Sequence, residues 1–423
     1  MKAMNVLAAD WHGIRLRHRQ VGAASFVWIL LTSGTVLPNT AENVRITLLV
    51  SSAIFLVQLV LLLNYARKRL VFGALATYAA LVGVVATTMV ANSDTQSYLT
   101  YARLLLAVGT ACGCAMLIDR SAVLRVLVNF VTFFAAISLI FFYGDLVSLV
   151  PGAFNTLLLN ETQYFNAYVY LQLVVDASRN TAIYIEPGLY QIYLCLALMV
   201  LFYSSVDFRY SYLKVAVLVV ALFSTKSTAG YLAGLLVISG LAFTYKPSKF
   251  RALFLVLRVM VVAMVVLYIV NSSYFTANIE AKFLGQSQLS WMGRRDSTLA
   301  DLAIISESPF FGTGAGSYLR EIDAFGAVGY EIAAATNTYT QLSAVFGLLF
   351  LLPILALQIG TLSRVQTSLG IRLLLAAVWA VSFFNQPFVM YAVFYLPAFL
   401  FFNRGARIGE DDARKDRLLN GVR

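Results

Sequence analysis

Apolar stretches of membrane-spanning length recur through almost all of the 423 residues, separated by short charged segments, and this recurrence restricts the fold more than any other feature. A helix needs about 20 mostly apolar residues to cross the hydrocarbon core. Within lipid, each backbone N–H and C=O must also find its partner inside the protein. Charged residues are 12% of the chain and hydrophobic ones 60%, against roughly 25% charge in a soluble domain. The chain therefore reads as all-α, a polytopic transmembrane helical bundle forming one integral membrane domain over residues 1–423.

About 12 spans are expected. Five precede the first long loop: Val21 to Pro38, Ile46 to Tyr65, Leu70 to Ala91, Thr100 to Ile118 and Val126 to Tyr143. Four follow it: Leu189 to Val206, Tyr210 to Thr225, Ala229 to Tyr245 and Ala252 to Val270. A second long loop precedes Thr340 to Leu362, Ile371 to Asn385 and Phe388 to Phe402, the last two short enough to form one hairpin broken around Pro387. No small-residue cleavage site follows the first apolar run, which reads as an uncleaved span.

Lys and Arg concentrate on the cytoplasmic side of a membrane protein. With both termini cytoplasmic, 23 of the 31 Lys and Arg fall inside and 8 outside. The net charge of +11 comes from this bias and gives no sign of nucleic-acid binding. The two long loops, 145–187 and 271–337, then face the periplasm, and residues 404–423 form a solvated cytoplasmic tail. Loops longer than about 15 residues are functional or disordered. These carry Tyr164, Phe165, Trp291 and Phe310, so order is expected, with a helix from Leu289 to Ser308 stopped by Pro309. Cys112, Cys114 and Cys195 lie in apolar runs and read as packing residues. Both histidines, His12 and His18, precede the first span. No metal-ligand constellation or other cofactor site is visible.

Three constellations could carry chemistry. In the first, Arg179 through Gly188, Pro187 suits the first turn of the sixth span. Glu186 then sits at that helix's N-terminus, either as a capping acid or as a base beside Arg179. The second joins Arg294, Arg295 and Asp296 to a glycine turn with Gly312 and Gly314 and to Asn337-Thr338-Tyr339. A Gly-x-Gly-x-Gly turn leading into a helix could offer N–H groups to phosphate, while the arginines could equally pair with Asp296 or Asp301. The third, Ser224 through Gly230, puts Lys226 among four hydroxyls, as a functional cation or a snorkelling one. Without a metal, phosphate charge would fall to Arg and Lys, the guanidinium fork binding its oxygens in bidentate fashion.

This order of elements resembles the bacterial O-antigen polymerase and ligase superfamily. It comprises twelve spans with two long outer loops, the Arg179 to Gly188 segment, the Ser-Thr-Lys-Ser-Thr-Ala-Gly turn, and Pro-Phe-Phe-Gly-Thr-Gly followed by Asn-Thr-Tyr. The resemblance implies a metal-independent, cofactor-free glycosyltransferase at the periplasmic face of the Gram-negative inner membrane. It implies undecaprenyl-pyrophosphate-linked oligosaccharide as substrate, with the bilayer and a chain-length regulator protein as partners and no nucleic acid. The pyrophosphate would lie on Arg179, Arg294 and Arg295, with Lys226, Gly312, Gly314, Asn337 and Tyr339 completing the substrate site. The ligases carry His where this chain has Thr336, while Glu186-Pro187-Gly188 is more like the polymerases. Glu186 is the expected base and Asp296 the reserve. The expected activity is O-antigen polymerase. The alternatives are transfer to lipid A core and, less in keeping with polar residues gathered in loops, a transporter or flippase.

Overall fold

The computed structural model describes residues 18–35, 37, 41–64, 68–150, 152, 154–159, 162–204, 206–244, 288–327, 337–364, 369–384 and 386–403. The expected ninth span, Ala252 to Val270, the tail 404–423 and Thr336 lie outside the described residues.

Five helices come first: α1 (residues 18–32), α2 (Ala41–Leu63), α3 (Lys68–Ala91), α4 (Tyr98–Leu117) and α5 (Arg120–Tyr143). The single turn α6 (Leu146–Leu149) leads into strands β1 (Asn155–Leu159), β2 (Thr162–Asn166) and β3 (Leu171–Leu173). Then come α7 (Pro187–Tyr203), α8 (Ser211–Ser224), α9 (Thr228–Thr244), α10 (Gln288–Glu307) and α11 (Ala315–Ala327). The chain closes with α12 (Thr338–Phe346), α13 (Leu348–Ser363), α14 (Leu369–Phe384) and α15 (Ala392–Leu400). Among the described residues, four helices are long and apolar enough to cross a membrane: Asn43–Leu63, Val71–Ala91, Tyr98–Leu117 and Arg120–Tyr143; five shorter ones are apolar but below that length. The protein is a mostly helical, membrane-type chain.

Burial separates lipid-facing helices from central ones. On α2, Leu49 and Leu63 are 71% and 68% exposed, an arrangement that suits hydrocarbon and not water. Helix α7 is apolar all round and almost wholly buried, with α5, α8 and α9 packed on it. That is how a central helix reads.

Two expectations are corrected. Among its described residues the first long loop has α6 as its α-helical part and otherwise centres on a three-stranded antiparallel sheet in the order β1-β2-β3, with Leu157 opposite Tyr164 and Tyr164 opposite Leu173. Leu159, Tyr164, Leu171 and Leu173 form its own small core, and alternation puts Tyr164 in while its neighbours stay more exposed. The tenth span is not one helix. Gly347, at φ +79°, separates α12 from α13 in a conformation an L side chain rarely adopts.

The segment after α10 explains that break. Leu348 N–H donates to Pro309 O (2.8 Å) and Leu349 N–H to Phe310 O (3.3 Å), while Thr313 and Gly314 N–H donate to Ala344 O (2.9 Å) and Val345 O (3.0 Å). Residues 309–314 thus pair with the open N-terminus of α13 and the open C-terminus of α12, groups a helix leaves unsatisfied.

Candidate active site

The residues before α7 are fixed from both sides. Asn180, fully buried, donates from Nδ2 to Ser138 (3.0 Å) and Ser224 (2.9 Å), and its Oδ1 accepts from Ala182 N–H (3.0 Å). Tyr184 stacks on Tyr190 and Tyr193, and Ile185 N–H donates to Gly34 O (3.1 Å). With its flanks held this way, Glu186 takes an extended conformation at the N-cap of α7, ahead of Pro187, and stays exposed. Its side chain makes no capping hydrogen bond. The carboxylate is therefore available for another task.

Arg179 lies against the α8–α9 turn, donating from Nε to Thr225 O (3.2 Å), with Asp176 at 3.8 Å. The first and third constellations thus meet: Lys226, with φ +47°, follows Thr225 directly. Helix α10 brings Arg294 to the same neighbourhood. Burial lowers the pKa of its guanidinium, the charge of Glu186 opposes that shift, and the charge of Arg179 adds to it. Tyr164, whose hydroxyl donates to Ile185 O (2.9 Å), has its pKa pushed up to about 12, by burial first and the Glu186 charge second. Arg179, Glu186 and Arg294 therefore share one electrostatic environment across both loops. Among the described residues Arg294 makes no ion pair and no side-chain hydrogen bond. A half-buried cation without a direct partner is costly in the empty protein and suits an incoming anion.

Arg295, about 100° further round α10, is 51% exposed and contacts Asp296 Oδ1 from both Nε and Nη2 at 2.8 Å. The ion-pair alternative thus applies to Arg295 and Asp296, not to Arg294. Gly312 and Gly314 are also reassigned. Their turn's N–H groups are occupied by Ala344 and Val345, and those of Ala315 and Gly316 by the Tyr101 hydroxyl (3.1 Å) and Asp94 Oδ2 (2.7 Å). A protein carboxylate already holds the position at the α11 N-terminus that a phosphate would take. Asp94 keeps its charge there: burial raises its pKa, but bonds from Gly316 N–H, Ser97 and Tyr101 outweigh that and hold the carboxyl below its ordinary value. Gly312 has φ +67°, and a Cβ there would meet Val345 backbone at 2.5 Å. Gly312→Ala should therefore reduce folded protein, by at least the ~1–2 kcal/mol of a left-handed L residue. Normal thermal stability with loss of phosphate binding alone would restore the cradle reading.

Asn337 caps α12, its Oδ1 accepting from Tyr339 N–H (3.0 Å), while its Nδ2 is buried without a partner among the described residues. Tyr339 sits half-buried, edge-on to Phe394. The sequence had offered Asp301 only as an ion-pair partner. It is buried and accepts from Tyr318 (2.9 Å) and Thr340 (2.5 Å), joining α10, α11 and α12. Its seven-residue spacing from Arg294 places both on one side of the helix. Burial pushes its pKa up to about 6, against the two hydroxyl bonds. The folded state then binds this proton more tightly than the unfolded chain, so its stabilising effect is full below pH 3.8 and is lost as pH rises through about 6. Wild type should therefore gain melting temperature relative to Asp301→Asn between pH 7 and pH 5. Parallel curves would rule this out.

Fold and site define a mostly helical, membrane-type protein in which Arg179, Glu186 and Arg294, from two loops, lie within reach of one another's charge. Residues 213–355, from α8 into α13, match the model of the family described as O-antigen ligase. The match is confined to that segment and supports a likeness to the O-antigen polymerase and ligase superfamily. No curated protein matches it.

Proposed function

We propose that the chain is an O-antigen polymerase. It transfers a growing glycan from undecaprenyl pyrophosphate to the terminal sugar of another lipid-linked repeat unit. The observation that carries this reading is the convergence of Arg179 and Glu186 on Arg294, which lies more than a hundred positions further along the sequence in the other long loop. As the sugar leaves pyrophosphate, negative charge gathers on the leaving oxygens, and fixed guanidinium groups stabilise it. Lys226 adds charge from the adjoining turn. Glu186, no longer balancing Arg294 once pyrophosphate is bound, takes the proton of the acceptor hydroxyl. In this reading both termini are cytoplasmic, about 12 spans cross the inner membrane, and both loops face the periplasm.

Transfer to lipid A core is the second reading, favoured by the description of the matched family. Cells lacking the gene distinguish them. A polymerase predicts lipid A core capped with single repeat units, whereas uncapped core would assign the chain to the ligases. Unchanged long-chain polymer would overturn both.

A further inference from the structure

A cavity of about 50 Å³ lies between α1, α2 and α4 and is also lined by residues 390–392 at the start of α15. At the ~10–15 Å³ that one water needs, it has room for a phosphate group and not for a sugar ring. Its polar lining is Arg103, Thr32, Thr47, Ser51, Thr110 and Tyr391. Arg103 lies within a helix of spanning length, half-buried, and among the described residues it has no ion pair or side-chain hydrogen bond. An ionisable group at membrane depth is functional by default, with a partner to be named. Thr110 supplies an independent sign: it is 3% exposed and its hydroxyl has no partner among the described residues. A cation and an unused hydroxyl around a phosphate-sized space call for an anion that neither the bilayer core nor the protein provides.

Two chain segments join this cavity to the Glu186 site. Residues 33–35, at the end of α1, bridge to Tyr184. The segment 386–391 begins at Gln386, whose carbonyl accepts from Thr338, next to Asn337. We propose that the cavity holds the phosphate of a second polyisoprenyl lipid, gripped by the Arg103 fork and by Thr110, with the isoprenoid along the exposed leucines of α2. This rests on the reading above, in which two lipid-linked substrates meet at one site, and places the second carrier at the depth of the outer leaflet.

Native mass spectrometry of the purified full chain with undecaprenyl phosphate tests it. Wild type should retain two lipids and Arg103→Ala one, with the second step weakened about tenfold or more, as for loss of a charge-assisted bond. Thr110→Val removes only an unpartnered hydroxyl, so folding should be unharmed while the same step weakens several-fold. Two lipids bound with wild-type affinity by both variants would overturn the proposal, as would equal displacement of the second lipid by phosphatidylglycerol or inorganic phosphate. Arg294→Ala should lose the other lipid. If it instead retains two while Arg103→Ala retains one, the cavity stands and the reading of Arg294 falls.

Discussion

Glu186→Gln should fold, insert and bind lipid-linked repeats, yet make almost no polymer, with transfer reduced about 10²- to 10⁴-fold as for loss of a general base. The structure sharpens this expectation, because the side chain makes no capping bond to α7. A capping acid would lose about 1 kcal/mol of stability on substitution, and the amide would keep most of the function. Here stability should hardly change, since Pro187 and the Tyr184 stack fix the backbone without the carboxylate. Asp296→Asn should retain transfer, its carboxylate being turned to Arg295. Thermal unfolding and polymer ladders measured on one preparation separate the roles. A Glu186→Gln protein that polymerises at near wild-type rate returns Glu186 to structure.

Arg294→Ala should lower transfer about 10²- to 10³-fold, the magnitude of removing one preorganised group from a developing negative charge. Arg294→Lys should recover part of it, keeping the charge and losing the fork. The protein itself should be no less stable, because the guanidinium is half-buried, lowered in pKa by that burial, and without a direct partner. Arg295→Ala should do the reverse, lowering stability by leaving buried Asp296 without its ion pair while transfer per folded molecule stays within a few-fold. Equal losses of transfer in both variants would mean that the two arginines share the ligand after all.

The contrast between these neighbours shows what was legible in the sequence. Apolar run length located α2 to α5 and α7 to α9 closely, because lipid demands continuous apolar surface whatever the tertiary partners. Pro309 marked the end of α10, a stop set by backbone chemistry alone. The break at Gly347 was not legible, since a lone glycine inside an apolar run is also tolerated in an unbroken span. It became necessary only because residues 309–314 pair with both helix ends there. The sheet in the first loop was hidden by its brevity: three strands of three to five residues alternate over too short a window to show a period. The glycine turn misled because its N–H groups do bind an anion, but one supplied by Asp94. Which arginine faced Glu186 depended on how α10 packs, a tertiary fact absent from local pattern.

The most direct test uses purified protein in liposomes with undecaprenyl-pyrophosphate-linked repeat units and no other protein, following glycan ladders and released undecaprenyl pyrophosphate together. The account predicts that wild type yields both in step, that Glu186→Gln and Arg294→Ala yield neither, and that Arg295→Ala yields both. Polymer made by Arg294→Ala at the wild-type rate, or polymer made by wild type without release of undecaprenyl pyrophosphate, would contradict it.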